Sequence, residues 1–250
     1  MTIRLICLDA DDTLWHNMRH FHDAETALVD MVRPFAEAGV ARQALETCEA
    51  RNLPLYGYGA KGFTLSMIET AVELCGDALT PALVTKLLSA GRSLLAHPVE
   101  LLQGIADTLE RLSERGRLVL VTKGDLLHQE AKLAASGLGE RFSGIEIVSD
   151  KTADTFRRIC ERYGVPAGDM IMAGDSMRSD VLPALQAGAW AAYVPQPGAW
   201  SHEQAAPPTE TERYRLLESL ADLPALIDQL NGLDHEGGRS LSIAGTDNRR

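Results

Sequence analysis

The sequence predicts an α/β protein: a doubly wound parallel sheet with a small all-α domain inserted near its start. Three observations lead to this prediction. Short apolar runs of strand length recur along the chain, amphipathic helical segments separate the later runs, and residues 15–97 carry only helical patterns. Alternating strands and helices are typical of βαβ units, in which the strands are parallel and helices cover both faces of the sheet.

The first predicted strand, residues 3–8 (IRLICL), is followed by three closely spaced aspartates, Asp9, Asp11 and Asp12, and then by Thr13. Like charges at this spacing repel one another, and burial would raise their pKa values. Folding gains nothing obvious from such a group, so a bound cation is the simplest way to stabilise it. We expect Asp12 itself to serve in a turn or a helix cap.

Residues 15–97 separate this strand from the next αβ unit, which is far more chain than a crossover needs. Their pattern predicts a small helical bundle, an inserted cap domain. The predicted helices are at about 20–38, 41–51, 64–75 and 81–95. Residues 52–63 (NLPLYGYGAKGF) are rich in glycine and aromatic residues, which is typical of a shaped loop. The α/β core would then comprise residues 1–14 and 98–232.

The later elements follow the same alternation. The predicted strands are 117–121, 145–148, 170–173, 191–194 and Tyr214–Leu217. The predicted helices are 101–114, 126–136, 152–163, 178–187 and about 223–231, and several of them end at a glycine. Residues 195–212 are expected to form a loop, and residues 233–250, which have little to bury, a mobile tail.

The chain carries a formal net charge of −11, from 24 basic and 35 acidic residues. A surface of this sign repels nucleic acid and anionic lipid, so we expect neither nucleic acid nor a membrane as a partner. A phosphorylated substrate would also be repelled at long range. Any phosphate site therefore needs its own local positive charge, from a metal ion, a lysine or backbone N–H groups.

Four scattered cysteines, Cys7, Cys48, Cys75 and Cys160, form no CxxC pair and fall inside predicted strands or helices, so we expect buried reduced thiols. No apolar stretch approaches the ~20 residues that span a bilayer. The first residues show no signal-peptide pattern. We therefore expect a cytoplasmic protein, whose oligomeric state the sequence does not reveal.

Ligands of open α/β sheets bind outside the carboxyl ends of the strands. Each of the first four strands of the predicted core is followed by residues with charged or reactive side chains. In chain order these are Asp9, Asp11 and Thr13, then Thr122 and Lys123, then Lys151, and finally Asp175 and Asp180. Four strand ends thus bring acids, a hydroxyl group and a lysine to one edge of the sheet, which predicts a functional site there.

These residues resemble the motifs of the haloacid-dehalogenase-like (HAD) superfamily, in the family's order and over residues 5 to about 190 of the chain. The motifs are an apolar strand followed by Asp-x-Asp-x-Thr, a strand that ends in Thr, a later Lys, and Gly-Asp with a further Asp. They are matched by Asp9, Asp11, Thr13, Thr122, Lys151, Gly174, Asp175 and Asp180. The helical insertion is similar to the family's C1-type cap. The resemblance implies a hydrolase of the phosphatase branch, since the dehalogenases lack the acid that Asp11 provides.

Asp9, at a rigid strand end, is the expected nucleophile that attacks phosphorus and carries a transient aspartyl-phosphate. A Mg²⁺ ion that bridges carboxylate and phosphate would remove the repulsion between these two anions, and hard oxygen ligands suit it. We expect Asp9 and Asp175 to bind this ion through their side chains. The resemblance adds the backbone carbonyl of Asp11, and Asp180 would bind the ion directly or orient a water ligand.

Asp11 is the expected general acid for the leaving group, and then the general base for the water that hydrolyses the intermediate. We expect the Thr122 hydroxyl to bind a phosphoryl oxygen, and Lys151 to neutralise charge on the transferred group and restrain Asp9. Lys123 is the competing candidate for the phosphate contact. Lys61, in the loop of the insertion, is expected to reach the distal end of the substrate.

The favoured function is a Mg²⁺-dependent phosphatase for small phosphorylated metabolites, and three alternatives use related residues. A phosphomutase needs the same core residues. Phosphonate hydrolysis would use a cap lysine to form a Schiff base, for which Lys61 is the candidate. A phospho-accepting receiver domain also combines strand-end acids with a lysine, but the helical insertion has no place in it. Outside these functions, His16, His20 and His22 either bind a transition metal or have a hinge or surface role.

Overall fold

A six-stranded parallel sheet forms the core of the protein. The computed structural model describes residues 2–198, 200–209 and 211–232. The strands are β1 (Leu5–Leu8), β2 (Arg117–Lys123), β3 (Gly144–Val148), β4 (Met170–Gly174), β5 (Trp190–Tyr193) and β6 (Tyr214–Leu216). They pair in the order β3-β2-β1-β4-β5-β6, and every pair is parallel. The predicted α/β class with a Rossmann-like sheet is confirmed.

Helices occupy two places in the chain. Five α-helices lie between β1 and β2, and the first four form one group: α1 (Met18–Val32), α2 (Ala38–Tyr56), α3 (Ala60–Cys75) and α4 (Pro81–Leu95). The helices of the core are α5 (Ile105–Ser113), α6 (Leu126–Ser136), α7 (Ala153–Tyr163), α8 (Leu182–Gln186) and α9 (Leu223–Leu230). The first group is called the helical insertion below.

The central strand β1 is buried on both faces, and its alternating side chains join two separate cores. Ile6 and Leu8 belong to the apolar cluster that includes residues of α5, α6 and α9. Leu5 and Cys7 belong to the cluster that includes residues of α7 and α8. Because successive side chains of a strand point to opposite faces, this division makes the sheet doubly wound.

The helical insertion has an apolar core of its own. Leu28 of α1, Leu45 of α2, Met67 of α3 and Leu87 of α4 are all buried in it. Each helix therefore contributes one apolar face to a bundle that does not depend on the sheet for its burial.

Two connections join the insertion to the core, and they run side by side. The Leu102 N–H donates to the Leu14 carbonyl at 2.9 Å, and the His16 N–H donates to the Glu100 carbonyl at 3.0 Å. Trp15 pairs with Leu101 between these two bonds. The insertion is thus attached through a short paired segment, which fixes where it stands over the strand ends.

The loop predicted for residues 52–63 is largely helical, so this prediction is wrong. Helix α2 continues to Tyr56, and α3 begins at Ala60. Pro54 is accommodated because it lies in the last turn of α2, where its missing N–H removes a single helical bond. The turn itself is confined to residues 57–59, where φ is +71° at Gly57 and +110° at Gly59.

The helix predicted for residues 178–187 is divided. Residues Met177–Val181 form a wider π turn, and only Leu182–Gln186 are α-helical. The Ser179 N–H donates to the Ser176 hydroxyl at the start of this turn. Single π turns are frequent at functional sites, because they redirect one side chain out of the regular helical register.

Other expectations concern the chain as a whole. All four cysteines are buried and unpaired. In the part of the chain that the structure describes, no helix has the length and apolar character needed to cross a bilayer. The predicted tail at residues 233–250 lies outside the described residues.

Candidate active site

The carboxyl ends of the strands and the helical insertion enclose a cavity of about 430 Å³. Every predicted site residue except Lys61 lines this cavity. Those residues are Asp9, Asp11, Thr122, Lys123, Lys151, Asp175 and Asp180. The rule that ligands bind at the carboxyl edge of a parallel sheet therefore located the cavity correctly.

Asp9, Asp175 and Asp180 present carboxylate oxygens that all lie within 4.8 Å of one another. Burial raises the pKa of Asp9 to about 7. The charge of Lys151 opposes this rise, and the charge of Asp180 adds to it. Burial, together with the charges of Asp9 and Asp180, also raises the pKa of Asp175. A divalent cation relieves such repulsion, and three hard oxygen donors fit Mg²⁺. Among the described residues, no other His, Cys, Asp or Glu side chains form such a group.

Gly174 is what allows these carboxylates to approach one another. A Cβ atom at this position would lie 2.9 Å from Asp9 Cβ and would collide with Asp180 Oδ2. The same Asp180 oxygen accepts a hydrogen bond from the Ser176 N–H at 3.0 Å. The end of β4 and the π turn thus hold the Asp180 side chain, which is fully buried, against the end of β1.

Lys151 is the cation of this group. Its Nζ atom contacts Asp9 Oδ1 and lies 2.6 Å from Asp180 Oδ1. Burial alone would lower the pKa of Lys151, but the charges and hydrogen bonds of Asp180 and Asp9 raise it above its ordinary value. The lysine is therefore a fixed positive charge that orients one oxygen of Asp9.

The two threonines of the predicted motifs have different environments. The Thr13 hydroxyl donates to Asp9 Oδ2 at 3.0 Å and accepts from the Asp175 N–H at 3.2 Å, so it links the ends of β1 and β4. Thr122 lines the cavity and is 2% exposed. Its hydroxyl has no hydrogen-bond partner within residues 2–198, 200–209 and 211–232, so its donor is available to a ligand.

Asp11 is held by donors from three directions. Lys132 Nζ lies 2.5 and 2.6 Å from its two oxygens. Trp15 Nε1 donates to Oδ1 at 2.7 Å, and Gln129 Nε2 donates to Oδ2 at 2.9 Å. Burial would raise the pKa of Asp11, but Lys132 and these hydrogen bonds lower it instead. The carboxylate form is thus favoured.

Sequence reasoning missed Lys132 and Gln129, although one signal for them was present. Both belong to α6, which begins directly after the strand end that carries Thr122. A spacing of three residues places them on the same face of this helix. Lys132 is 5% exposed, and a buried lysine requires a partner, here the carboxylate of Asp11.

Asp12 has the turn and cap role expected for it. Its φ angle is +58°, a left-handed conformation that aspartate tolerates better than most residues. The carboxylate accepts hydrogen bonds from the N–H groups of Asn17 and Met18 at 2.9 Å. It therefore satisfies backbone donors where α1 begins.

The two remaining lysine candidates have protein partners. Lys123 Nζ contacts Glu203 Oε1 and lies 2.7 Å from Ser179 Oγ. Lys61 Nζ lies 2.9 Å from Asp125 and does not line the cavity, so this geometry does not favour the substrate contact predicted for it. The physical reason is that the exposed Lys61 side chain already pairs with the carboxylate of Asp125, which is held in place at the start of α6.

The insertion contributes the distal wall of the cavity, which is partly aromatic and partly acidic. Its residues in this wall include Phe21, Arg42, Glu46, Glu49, Tyr56, Tyr58 and Phe63. Burial raises the pKa of Glu49 to about 8, and the nearby Glu25 and Glu46 add to this effect. This carboxyl is therefore mostly protonated at neutral pH.

The histidines near the first connection are dispersed. His20 stacks on His97, with ring centroids 3.9 Å apart, whereas His22 Nε2 lies 3.2 Å from the Gly198 carbonyl. Neither belongs to a group of possible metal ligands in the described chain. The contacts of His20 and His22 favour a hinge or surface role for these histidines over binding of a transition metal.

Fold and site together define a class: hydrolases with a Rossmann-like parallel sheet, a strand-end aspartate supported by a buried lysine, and a helical insertion. The chain belongs to the haloacid dehalogenase-like hydrolases, whose family model matches residues 3–188. Family membership makes it a hydrolytic enzyme.

Solved structures share this architecture. A haloacid dehalogenase-like family hydrolase from Xanthomonas campestris is 35% identical and has a TM-score of 0.83, with 93% of this chain and 97% of that chain covered. The putative HAD-hydrolase YfnB from Bacillus subtilis, bound to magnesium, is 18% identical with a TM-score of 0.62, and the match covers 91% of this chain and 100% of that one. The second likeness concerns the fold alone.

Curated relatives include the N-acylneuraminate-9-phosphatase of Homo sapiens, which is 24% identical over 170 residues. This match covers 65% of the present chain and 66% of the relative. The rat protein of the same name matches to the same extent. The chain thus spans just under two thirds of the length of these relatives.

Proposed function

We propose that the protein is a Mg²⁺-dependent phosphatase that hydrolyses phosphomonoesters of small metabolites through an aspartyl-phosphate at Asp9. One observation carries this proposal: the carboxylates of Asp9, Asp175 and Asp180 face the cavity, with Lys151 between two of them. A group with this charge balance serves to bind a cation and to present a nucleophilic oxygen beside it.

Mg²⁺ would be held by the carboxylates of Asp9 and Asp175 and by the backbone carbonyl of Asp11. Asp180 would join them directly or through a water molecule. When bound, the ion supplies positive charge that lets an anionic oxygen and a phosphate approach each other. YfnB, the relative solved with magnesium, is consistent with this assignment.

The residues of this chain then divide the reaction into two steps. An Asp9 oxygen forms a bond to phosphorus while the ester oxygen leaves with a proton from Asp11. Water then attacks phosphorus and gives a proton back to Asp11, the bond between phosphorus and the Asp9 oxygen breaks, and phosphate leaves with Asp9 again a carboxylate. Thr122 hydrogen-bonds a phosphoryl oxygen, and Lys151 keeps Asp9 in place. The donors around Asp11 favour its carboxylate form, which suits the second step in particular.

The substrate class follows from the two walls of the cavity. The strand-end wall takes the phosphoryl group, and the wall formed by the helical insertion takes the alcohol portion. The curated relatives are named N-acylneuraminate-9-phosphatase, which supports a small phosphorylated metabolite as the substrate. We also propose the cytoplasm as the compartment, because four buried unpaired cysteines suit a reducing environment.

The test compares the unmodified protein with Asp9→Asn against a panel of phosphomonoesters, with phosphate release as the readout. We expect release with Mg²⁺, none after chelation, recovery when Mg²⁺ is returned, and no turnover by the variant. Circular dichroism of Asp9→Asn checks that the fold is intact. Full turnover by a folded Asp9→Asn variant would refute the nucleophile.

A further inference from the structure

Glu203 lies at the centre of a polar cluster formed with Lys123, Ser176 and Ser179. Its Oε1 atom contacts Lys123 Nζ, and its Oε2 atom accepts hydrogen bonds from Ser176 Oγ at 2.5 Å and Ser179 Oγ at 2.6 Å. The Glu203 side chain is 13% exposed. Three segments that are distant in sequence therefore meet on one nearly buried carboxylate.

The number of hydrogens on each donor determines the direction of the hydrogen bonds in this Glu203 cluster. Each serine hydroxyl has one hydrogen, and both hydrogens go to Glu203. Ser179 Oγ therefore accepts from Lys123 Nζ at 2.7 Å, and Ser176 Oγ accepts from the Ser179 N–H at 2.9 Å. Removal of the Glu203 carboxylate would leave a nearly buried ammonium group and two hydroxyls without their acceptor.

On one side, the Glu203 cluster ends at the proposed metal ligands. Ser176 directly follows Asp175, and Ser179 directly precedes Asp180. The Ser176 N–H also donates to Asp180 Oδ2 at 3.0 Å. The two serines that Glu203 binds therefore hold the turn that places both carboxylates relative to Asp9.

On its other side, the Glu203 cluster reaches the helical insertion. Lys123 Nζ lies 3.6 Å from the ring centroid of Tyr58, in the loop between α2 and α3. The Trp200 ring meets the same Tyr58 ring edge-on, with centroids 6.0 Å apart. Next to it, Ser201 Oγ donates to Glu46 Oε1 of α2 at 2.8 Å. The segment that carries Glu203 thus contacts the insertion at two points.

We propose that Glu203 is a positioning residue that links docking of the helical insertion, through Tyr58 and Lys123, to alignment of the turn that carries Asp180. The proposal relies on the proposed function only in taking Asp175 and Asp180 as Mg²⁺ ligands. The link acts in both directions, because a contact that favours the aligned turn is itself favoured by it. Mg²⁺ affinity should then depend on a tyrosine of the insertion that binds no metal.

The test is a calorimetric titration of the full-length protein with Mg²⁺ alone, which needs no substrate. Tyr58→Leu removes the aromatic face from Lys123, and we expect Mg²⁺ binding to weaken roughly threefold or more. Tyr58→Phe keeps that face and should restore the affinity to within about twofold of the unmodified protein. Glu203→Gln should weaken binding about tenfold, the effect typical of residues that orient metal ligands.

Lys61→Met is the matched control. It breaks another contact between insertion and core, the Lys61–Asp125 pair at 2.9 Å, without touching the Glu203 cluster, so Mg²⁺ affinity should stay unchanged. Thermal melts check the folding of each variant, and the half-buried position 58 and the exposed position 61 remain informative if Glu203→Gln fails to fold.

Two results would overturn the proposal: unchanged Mg²⁺ affinity in Tyr58→Leu, or equal weakening in Lys61→Met, since any loosened contact would then have the same effect. An unmodified protein that neither binds Mg²⁺ nor releases phosphate would instead refute the proposed function. The two failures are thus distinguishable.

Discussion

Lys132 binds both carboxylate oxygens of Asp11, at 2.5 and 2.6 Å, although 121 residues separate them in the chain. The lysine extends from α6, and the aspartate follows β1. Lys132 Nζ also lies 3.2 Å from Asn17 Oδ1, so it is fixed from two sides. The proposed acid–base residue is therefore positioned by a cation that belongs to none of the matched motifs.

Replacement of this lysine tests the role of Asp11. In Lys132→Met, Asp11 loses the cation that orients it, and we expect kcat to fall about 10- to 100-fold for an alkyl phosphate. The loss should be smaller for p-nitrophenyl phosphate, because nitrophenolate leaves without a proton. Lys132→Arg should retain more activity than Lys132→Met. Equal losses for both substrates, in variants with unchanged thermal melts, would show that Asp11 does not handle the leaving-group proton.

Gly174→Ala tests the close approach of the acidic residues. The added methyl group collides with Asp180 Oδ2 and lies 2.9 Å from Asp9 Cβ. We expect the free energy of unfolding to fall by about 1–3 kcal/mol, as for other overpacked sites, and Mg²⁺ binding to weaken. Denaturant unfolding and metal titration measure the two effects. Gly39→Ala is the control, since apart from its own helix no atom lies within 4 Å of its added Cβ; it should leave Mg²⁺ affinity unchanged and, as an alanine within α2, should not lower the free energy of unfolding. Normal Mg²⁺ affinity in Gly174→Ala would contradict the conclusion that the missing side chain at this position allows the carboxylates to approach one another.

Glu49 predicts a pH dependence of stability. Its pKa rises from 4.5 to about 8 on folding, because of burial and the nearby Glu25 and Glu46. A carboxyl whose pKa is raised on folding stabilises the protein fully below its unfolded value, and this contribution is lost as pH increases from about 4.5 through about 8. Glu49→Gln cannot ionise and avoids that loss.

We therefore expect the melting temperature of Glu49→Gln to exceed that of the unmodified protein by roughly 2 °C or more at pH 9. The difference should shrink towards pH 5, where both side chains are neutral in the folded state. Scanning calorimetry across this pH range measures it. A difference that stays constant with pH would mean that Glu49 ionises normally in the folded protein.

The sequence contains the local part of this site. Asp9, Thr122, Lys151 and Asp175 could be predicted because each lies at or shortly after the end of a strand, and a parallel sheet brings such ends to one edge. Asp12 could be predicted because turn chemistry depends on neighbouring residues. These inferences need only periodicity and chain order, which a single sequence provides.

The rest of the site depends on tertiary packing. Lys132 and Glu203 meet their partners across elements distant in sequence, and no local pattern fixes which of several lysines reaches which acid. Lys61 illustrates the difficulty, because its contact with Asp125 depends on how the insertion packs against the start of α6, which no local pattern specifies. The short turn at residues 57–59 was concealed for a different reason. The composition of residues 52–63 indicates a loop, whereas α2 and α3 extend into this range and leave only residues 57–59 outside the helices.

The paired connections at Leu14–Leu102 and His16–Glu100 have a consequence for protein engineering. Both ends of the insertion leave the core at one place and are tied to each other there, so the sheet does not depend on what is built beyond them. A helical bundle of different size, or with different cavity-lining residues, could be joined at the same two connections, whose positions are fixed by these hydrogen bonds. Chimaeras exchanged at this junction replace the distal wall of the cavity, and those that retain Tyr58 keep its contact with Lys123.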